Sequence, residues 1–259
     1  MADGIYIAMG AARAQEHRLE TLSNDLANAN TTGYKTQETL YRQIHADITD
    51  MGSPDQAMDV DHPVRFLPED RLPVVMDGRW TNFGQGNLRF TGNDLDLAIN
   101  GNGFFELEGP NGSLYTRNGT FMLNRDGELV DQQGLPVLTR GGGRIRIPNE
   151  QGKVGITQDG SIIVDGEDVG RLSVVEVPNP QDLKRVGNSN YQLPDPEQKP
   201  PQLDEPDVRQ QFTESANVNA VHTMAMLIKT NRLFELNTRA IQAYKDMDDK
   251  AARDVGRMR

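Results

Sequence analysis

Ile5-Tyr-Ile-Ala-Met-Gly-Ala-Ala-Arg-Ala-Gln-Glu-His-Arg-Leu-Glu-Thr-Leu-Ser-Asn-Asp-Leu26 decides how this chain is built. Ile5, Ala8, Ala12, Gln15, Leu19, Leu22 and Leu26 follow one another at spacings of three and four, the a/d periodicity of a coiled coil. The other end of the chain repeats the pattern. Ala220, Met224, Leu227, Asn231, Phe234, Thr238 and Ile241 form a second stripe, widened by Val221 and Ile228. Neither helix hides its stripe alone, so the two pair with each other or with further subunits. The first helix is expected to start at Asp3 as N-cap and to run to about Asn28, with Gly33 taking a left-handed exit. The second is expected over Ser215–Arg259.

Between the helices the texture is that of a β protein. Eleven short runs read as strands: Leu88–Phe90, Leu95–Ile99, Phe104–Leu107, Leu114–Thr116, Thr120–Leu123, Glu128–Val130, Pro136–Leu138, Arg144–Ile147, Val154–Thr157, Ser161–Val164 and Leu172–Val177. Asn111-Gly112, Asn118-Gly119, Asp126-Gly127, Asp159-Gly160 and Asp165-Gly166 separate them with hairpin chemistry, since a type I′ turn needs φ > 0 at both central positions. Asp94 and Asp96 alternate with Leu95 and Leu97, which on a strand sets both carboxylates on one side, suited to holding turn amides. Leu40–Ile48 is a short amphipathic piece, followed by Pro54, Pro63, Pro68 and Pro73 in an extended connector. The expected fold class is therefore α+β. Residues 1–33 with 213–259 form a helical, coiled-coil-like assembly domain, 34–80 the connector, 81–177 an antiparallel β-rich domain, and 178–212 a Pro-rich return arm with little regular structure.

Composition narrows the function classes. The 259 residues are 36% hydrophobic and 6% aromatic, so cores are modest, and cysteine is absent, which removes disulfides and thiolate chemistry. The net charge of −11 disfavours a general nucleic-acid binder. That charge sits in the middle: residues 1–35 carry −1, 213–259 carry +2 and 36–212 carry −12. No run approaches the roughly 20 apolar residues of a membrane span, and the first thirty residues lack the basic and apolar regions of a Sec-type signal. His17, His45, His62 and His222 lie on different elements without a Glu-x-x-His pattern. Gly101-Asn-Gly103 and Gly141-Gly-Gly143 read as turns, because neither leads into the helix or the Lys-Ser/Thr of a phosphate loop. No cofactor and no metal are expected. A cell-wall hydrolase, the alternative from another class, needs two poised carboxylates or a metal in a cleft, whereas the acidic residues here are scattered in turns.

Four motifs in order carry a family likeness. Ser23-Asn-Asp-Leu-Ala-Asn-Ala-Asn-Thr-Thr-Gly-Tyr-Lys35 resembles the amino-terminal signature of bacterial flagellar rod and hook proteins. Gly86-Asn-Leu-Arg-Phe-Thr-Gly-Asn-Asp-Leu-Asp-Leu-Ala-Ile-Asn-Gly-Asn-Gly-Phe-Phe105 and Tyr115-Thr-Arg-Asn-Gly-Thr-Phe121 are similar to their central motifs, and Glu214-Ser-Ala-Asn-Val-Asn-Ala-Val221 to the start of their carboxyl-terminal helix. The chain departs from the pattern at Asp25, where Asn is commoner, and at Ala216, where a Ser often stands. The resemblance implies a structural subunit of the basal-body rod, exported by the flagellar type III apparatus without a cleaved signal peptide and placed in the periplasm. Its partners would be further copies and other rod proteins, with no nucleic acid and no membrane insertion. The length leaves the two mid-sized rod subunits, proximal and distal, and Ile5-Tyr-Ile-Ala-Met-Gly-Ala-Ala12, Asn219-Ala-Val with Met226-Leu-Ile and Arg232-Leu-Phe-Glu235, and the tail Asp248-Asp-Lys-Ala-Ala-Arg253 look more like the proximal one. The expected assembly contacts are Ile5, Leu19, Leu22, Leu26, Val221, Met224, Leu227, Ile228, Phe234 and Ile241. The family-motif positions are Asn24, Ala27, Asn28, Gly33, Tyr34, Lys35, Asn217, Val218 and Asn219.

Overall fold

The computed structural model describes residues 2–43, 74–147, 154–195 and 199–257. Two helices, α1 (Ala2–Ala27) and α2 (Ala220–Arg257), enclose in sequence β1 (Gln37–Gln43), β2 (Val74–Thr81), β3 (Leu88–Phe90), β4 (Leu97–Ile99), β5 (Phe104–Gly109), β6 (Gly112–Thr116), β7 (Met122–Leu123) and β8 (Leu129–Val130). They continue as β9 (Val154–Ile156), β10 (Ser161–Val164), β11 (Glu167–Arg171), β12 (Val174–Val175), β13 (Lys184–Gly187), β14 (Asn190–Gln192), β15 (Val208–Gln210) and β16 (Phe212–Glu214). At 1.5 Å per residue the helices are about 39 and about 57 Å long. The fold class is α+β.

The chain divides into two compact units, and neither is a continuous segment. One holds residues 1–24, 38–80 and 221–259; the other holds 25–37 and 81–220. The second is the β unit. Its largest sheet has five strands in the order β12-β5-β6-β14-β13, accompanied by β11-β10-β9 and the pairs β15-β4, β16-β3 and β7-β8. Neighbours pair antiparallel throughout. The five-stranded sheet is buried on both faces, because side chains alternate along a strand. Phe105, Leu107, Leu114 and Val174 join a core with Leu97, Ile99 and Ile162, while their neighbours Phe104, Tyr115 and Val175 join a second with Leu183 and Tyr191. The adjacent pair Phe104-Phe105 supplies one ring to each core.

The type I′ expectation holds at one dipeptide of the five: Asp165 (φ 52°) and Gly166 (φ 91°) both take positive φ between β10 and β11. Gly112, Gly127 and Gly160 take positive φ but Asn111, Asp126 and Asp159 do not, so these links are other turn types. Asn118-Gly119 has positive φ at neither position. A Cβ on Gly119 would overlap the Leu97 carbonyl, and Gly119 O accepts the Leu97 amide at 2.8 Å. This glycine admits a neighbouring strand rather than reversing the chain. Asp94 and Asp96 also separate: Asp94 is exposed in a turn and Asp96 is buried, accepting from Asn93 Nδ2.

Several boundaries differ from the sequence expectations. α1 already includes Asp3, so Asp3 is not its N-cap. α2 starts at Ala220 rather than Ser215, because Phe212–Glu214 pairs with Leu88–Phe90 instead. The return arm is structured: β13 and β14 extend the large sheet and β15 pairs with β4, through backbone hydrogen bonds that a Pro-rich, polar composition conceals. Within the connector, Gln37–Gln43 and Val74–Thr81 form a two-stranded sheet. The rest of Leu40–Ile48 beyond Gln43, together with Pro54, Pro63, Pro68 and Pro73, lies outside the described residues.

In the helical unit the inward stripe of α2 keeps the expected period but a different phase. Thr223 and Thr230 are buried and Leu227, Phe234, Ile241 and Tyr244 half-buried, whereas Met224, Asn231 and Thr238 face out. A Cβ on Gly4 would press into the Tyr244 ring, so the start of α1 meets the second half of α2.

Gly119→Ala should lower stability by about 1–3 kcal/mol, the cost of overpacking a closed site. Gly141→Ala, with only Thr139 Oγ1 near and at 3.8 Å, should stay within about 0.5 kcal/mol. Denaturant midpoints of the two variants measure this, and equal effects would refute the close-approach account.

Candidate functional site

Gly33, Tyr34, Lys35 and Asn217 of the expected motif residues gather around one buried carboxylate in the β unit. After α1 the chain turns twice, with Ala29 N donating to Leu26 O and Thr31 N to Asn28 O, and reaches Gly33 at φ 68°. Gly33 packs against the Arg117–Asn118 backbone so closely that a Cβ would collide with it, and its amide donates to Glu214 O at 2.8 Å. Lys35 follows, fully buried. Its Nζ donates to Glu214 Oε1 at 2.5 Å and to Gly84 O at 2.8 Å. Glu214 Oε1 also accepts the Gly86 amide at 2.7 Å, and Glu214 Oε2 faces Arg117 at 3.5 Å. Two cations thus share one carboxylate in a dry site.

Flanking contacts complete the arrangement. Asn217 N donates to Tyr34 O, Thr36 N to Asn217 Oδ1 at 2.8 Å, and Asn217 Nδ2 to Asn82 O at 2.8 Å. The Arg185 guanidinium lies 4.4 Å from the Tyr34 ring centre and donates to Lys35 O. Tyr34 OH donates to Asp25 Oδ1 at 2.7 Å, which gives the departure from Asn at position 25 a physical use: a carboxylate is the stronger acceptor. Burial, helped by Asp25, pushes the Tyr34 phenol up to about 12, and burial does the same to Tyr115. Burial lowers Lys35 and Arg117 below their ordinary ranges against the pull of Glu214.

Of the motif residues, Gly33, Tyr34 and Lys35 are buried, Asn28, Asn217 and Val218 half-buried, and Asn24, Ala27 and Asn219 exposed. Arg117, Arg185, Gly84 and Glu214 were not singled out as site residues; Glu214 and Arg117 do stand inside the quoted motifs, while Arg185 has no local signal. On the helices Ile5, Leu19, Leu22, Leu26, Leu227, Phe234 and Ile241 are half-buried. Val221 is 80% exposed, and Met224 and Ile228 are also exposed, joined by Leu233, Leu236 and Met247 on α2 and Ile7 and Met9 on α1. Among the described residues Gln15 Oε1 is buried without a hydrogen-bond partner, while Asn231 bonds Glu235 on the exposed side, so the two polar stripe residues do not pair with each other.

The other buried carboxylates hold structure. Glu106 accepts from Ser113 and Ser173, Asp131 from the Gln133 and Leu135 amides, and Glu128 faces Arg144 and Arg146.

Comparison with known proteins assigns the same segments. Residues 5–35 match the family described as Flagella basal body rod protein, 98–164 the Flagellar hook protein FlgE/F/G D1 domain, and 209–254 the Flagellar basal body rod FlgEFG protein C-terminal. FlgF of Caulobacter vibrioides, a flagellar basal-body rod protein, is 31% identical over the whole of both chains. The chain belongs to the flagellar basal-body rod protein family. FlgF of Rhizobium meliloti is 32% identical over 99% of each chain, and the rod protein FlgG of Agrobacterium fabrum 32% identical over 93% of this chain and 95% of its own. Lys35, where the first rod-family segment ends, makes its ion pair with Glu214 of the last, and Arg117 comes from the one between them.

Two predictions follow from the buried charges. Glu214→Gln leaves two buried cations without an anion and should cost about 3–5 kcal/mol, whereas Lys35→Met leaves Arg117 paired with Glu214 and should cost less. Denaturant unfolding ranks them, and the reverse order would refute the shared-carboxylate reading. On the alkaline side, a tyrosine titrates near 10 when unfolded and Tyr34 and Tyr115 at about 12 when folded. Their stabilisation is intact below pH 10 and is lost as pH rises through 12, about 2–3 kcal/mol each. Lys35, lowered by burial, acts oppositely as pH approaches its unfolded value. Tyr34→Phe should therefore flatten the stability loss between pH 10 and 12, and an unchanged slope would count against it.

Proposed function

We propose that this chain is a FlgF-like subunit of the proximal rod, polymerising through its terminal helices into a tubular shaft that transmits torque. The observation that carries this reading is the apolar surface left uncovered on α2, where Val221, Met224 and Ile228 form one exposed patch and Leu233, Leu236 and Met247 another. By helical spacing these patches lie on different sides of the helix, away from the Thr223–Leu227–Thr230 stripe. Three apolar sides on one helix call for more than one neighbour. Each such residue buried on assembly contributes about 1.5–3 kcal/mol, against about 0–1 kcal/mol for an exposed charge pair. Contacts that join unlike patches do not close on themselves and generate a helical polymer.

The full-length match to FlgF of Caulobacter vibrioides supports the proximal assignment. FlgG of Agrobacterium fabrum matches at similar identity, which keeps the distal rod as the second reading. Relatives of the chain are structural rod proteins, and the buried carboxylates are engaged in local hydrogen bonds and ion pairs, so a cell-wall hydrolase gains no support. Ile5, Leu19, Leu22, Leu26, Leu227, Phe234 and Ile241 are assigned to the helical assembly together with the exposed set. Its partners are further copies and other rod proteins. The type III export apparatus delivers it to the periplasm with its amino terminus uncleaved.

Ile228→Asp, on an exposed patch, should leave the monomer's circular dichroism and the β unit's stability unchanged while abolishing rod incorporation and swimming. A variant that still built normal rods would sink the assembly reading. Cryo-electron microscopy of intact basal bodies separates the two rod readings. A short segment next to the membrane is expected, whereas tens of copies reaching the outer bushing would assign the chain to the distal rod.

A further inference from the structure

The sequence holds four Asn-Gly pairs, at 100–101, 102–103, 111–112 and 118–119, and the fold treats them differently. In such a pair the glycine amide nitrogen can attack the side-chain carboxamide of the asparagine, because no Cβ crowds its approach. The attack needs the intervening peptide to rotate until that nitrogen faces Cγ, so any hydrogen bond that fixes the carboxamide or the peptide opposes it. Three pairs are fixed. Asn100 Nδ2 donates to Asp207 Oδ2 at 2.7 Å, its own amide donates to Asp207 O, and the Gly101 amide donates to Gln85 Oε1 at 3.1 Å. Asn118 Oδ1 accepts the Thr120 amide at 3.1 Å, while Gly119 is buried against the Leu97 carbonyl. Asn111 O accepts from Gln192 Nε2 at 3.2 Å, and Gly112 is paired with Gly109 at the start of β6. Asn102-Gly103 differs. Asn102 is exposed, and among the described residues no hydrogen bond holds its carboxamide, its carbonyl or the Gly103 amide.

We propose that Asn102 is a site of spontaneous covalent modification, converting through a succinimide to aspartate and isoaspartate while the other three pairs persist. The chemistry uses water alone. The Gly103 nitrogen forms a bond to Asn102 Cγ, the Cγ–Nδ2 bond breaks, and ammonia leaves with the amide proton; water then opens the ring at either carbonyl. Cleavage of the new bond gives aspartate. Cleavage of the original peptide bond leaves the chain running through Cβ and Cγ, one carbon longer, immediately before β5. Phe104 and Phe105 start that strand and enter different cores, and Gly103 is buried with a Val174 methyl 3.0 Å from where a Cβ would stand. The iso form therefore lengthens the chain at a tightly packed entry to the large sheet. Either product adds a negative charge to the middle segment, which already carries −12.

Incubating the full chain at mildly alkaline pH and mapping its peptides by mass spectrometry tests this without reference to rods or motility. Each conversion raises a peptide's mass by about one dalton, and the iso form elutes as a separate peak. Asn102 should convert about tenfold faster than Asn100, Asn111 or Asn118, the factor that one hydrogen bond supplies net of water. Asn102→Gln should remove the fast conversion. Gln85→Ala combined with Asp207→Ala frees the Asn100 pair and should raise its rate about tenfold. Conversion of any of the other three pairs as fast as Asn102 in the wild-type chain would overturn the assignment, and that ranking is read whether or not the double variant folds. In a folded double variant, an unchanged Asn100 rate would overturn it equally, since the hydrogen bonds would then guard nothing.

Discussion

The pairing of Lys35 with Glu214, 179 residues apart and both without solvent exposure, is the constraint on which the rest of the arrangement depends. Burying an ammonium and a carboxylate is costly, and their attraction offsets that cost only with good geometry and satisfied remaining valences. The structure meets those terms with the Gly84 carbonyl for the ammonium and the Gly86 amide for the carboxylate. A hydrophobic pair at these positions would tolerate several registers. The charged pair accepts one, because a slip of a single residue strands both charges, and this is the use best attested for such pairs.

Much of the fold was legible in the sequence because its signals are local. Ser161–Val164 and Leu88–Phe90 carry their strand character in their own residues, and Asp165-Gly166 declares its turn by composition. What escaped was non-local. β13 and β14 lie in a stretch whose prolines and polar residues read as an arm, yet Tyr191 is fully buried because β6 offers it an edge. Thr213 and Glu214 fall in the expected helical domain and Phe212 in the expected return arm, yet all three pair with β3. Lys35 was named for its motif, but nothing in a sequence pairs it with Glu214 or brings Arg185 over Tyr34. The helix stripe shows the same limit in milder form: period is a property of one helix, whereas phase depends on the neighbour it meets, and Thr223 and Thr230 are inside only because α2 turns that face inward.

The two units draw on different physics. The β unit owns two apolar clusters and buries a sheet on both faces. Among the described residues the helical unit buries Ala8, Ala12, Thr21, Thr223 and Thr230 but leaves Val221, Ile228 and Leu236 exposed. Isoleucine and leucine stand exposed along a helix of about 57 Å, a surface that suits the proposed reading of a subunit whose neighbours are other chains.

Within the β unit, residues 33–36 are held by polar contacts from distant stretches of the chain. The Tyr34 ring, buried under the Arg185 guanidinium, adds an aromatic anchor to these contacts. Each neutral hydrogen bond contributes about 0.5–1.5 kcal/mol net, so their number rather than any single one holds the segment. Glycine at position 33 completes the logic: the segment enters backbone to backbone against Asn118, where any side chain would hold it away. Specificity at this junction comes from geometry that only one seating satisfies, while the free energy that makes the unit stable is stored in the cores beside it.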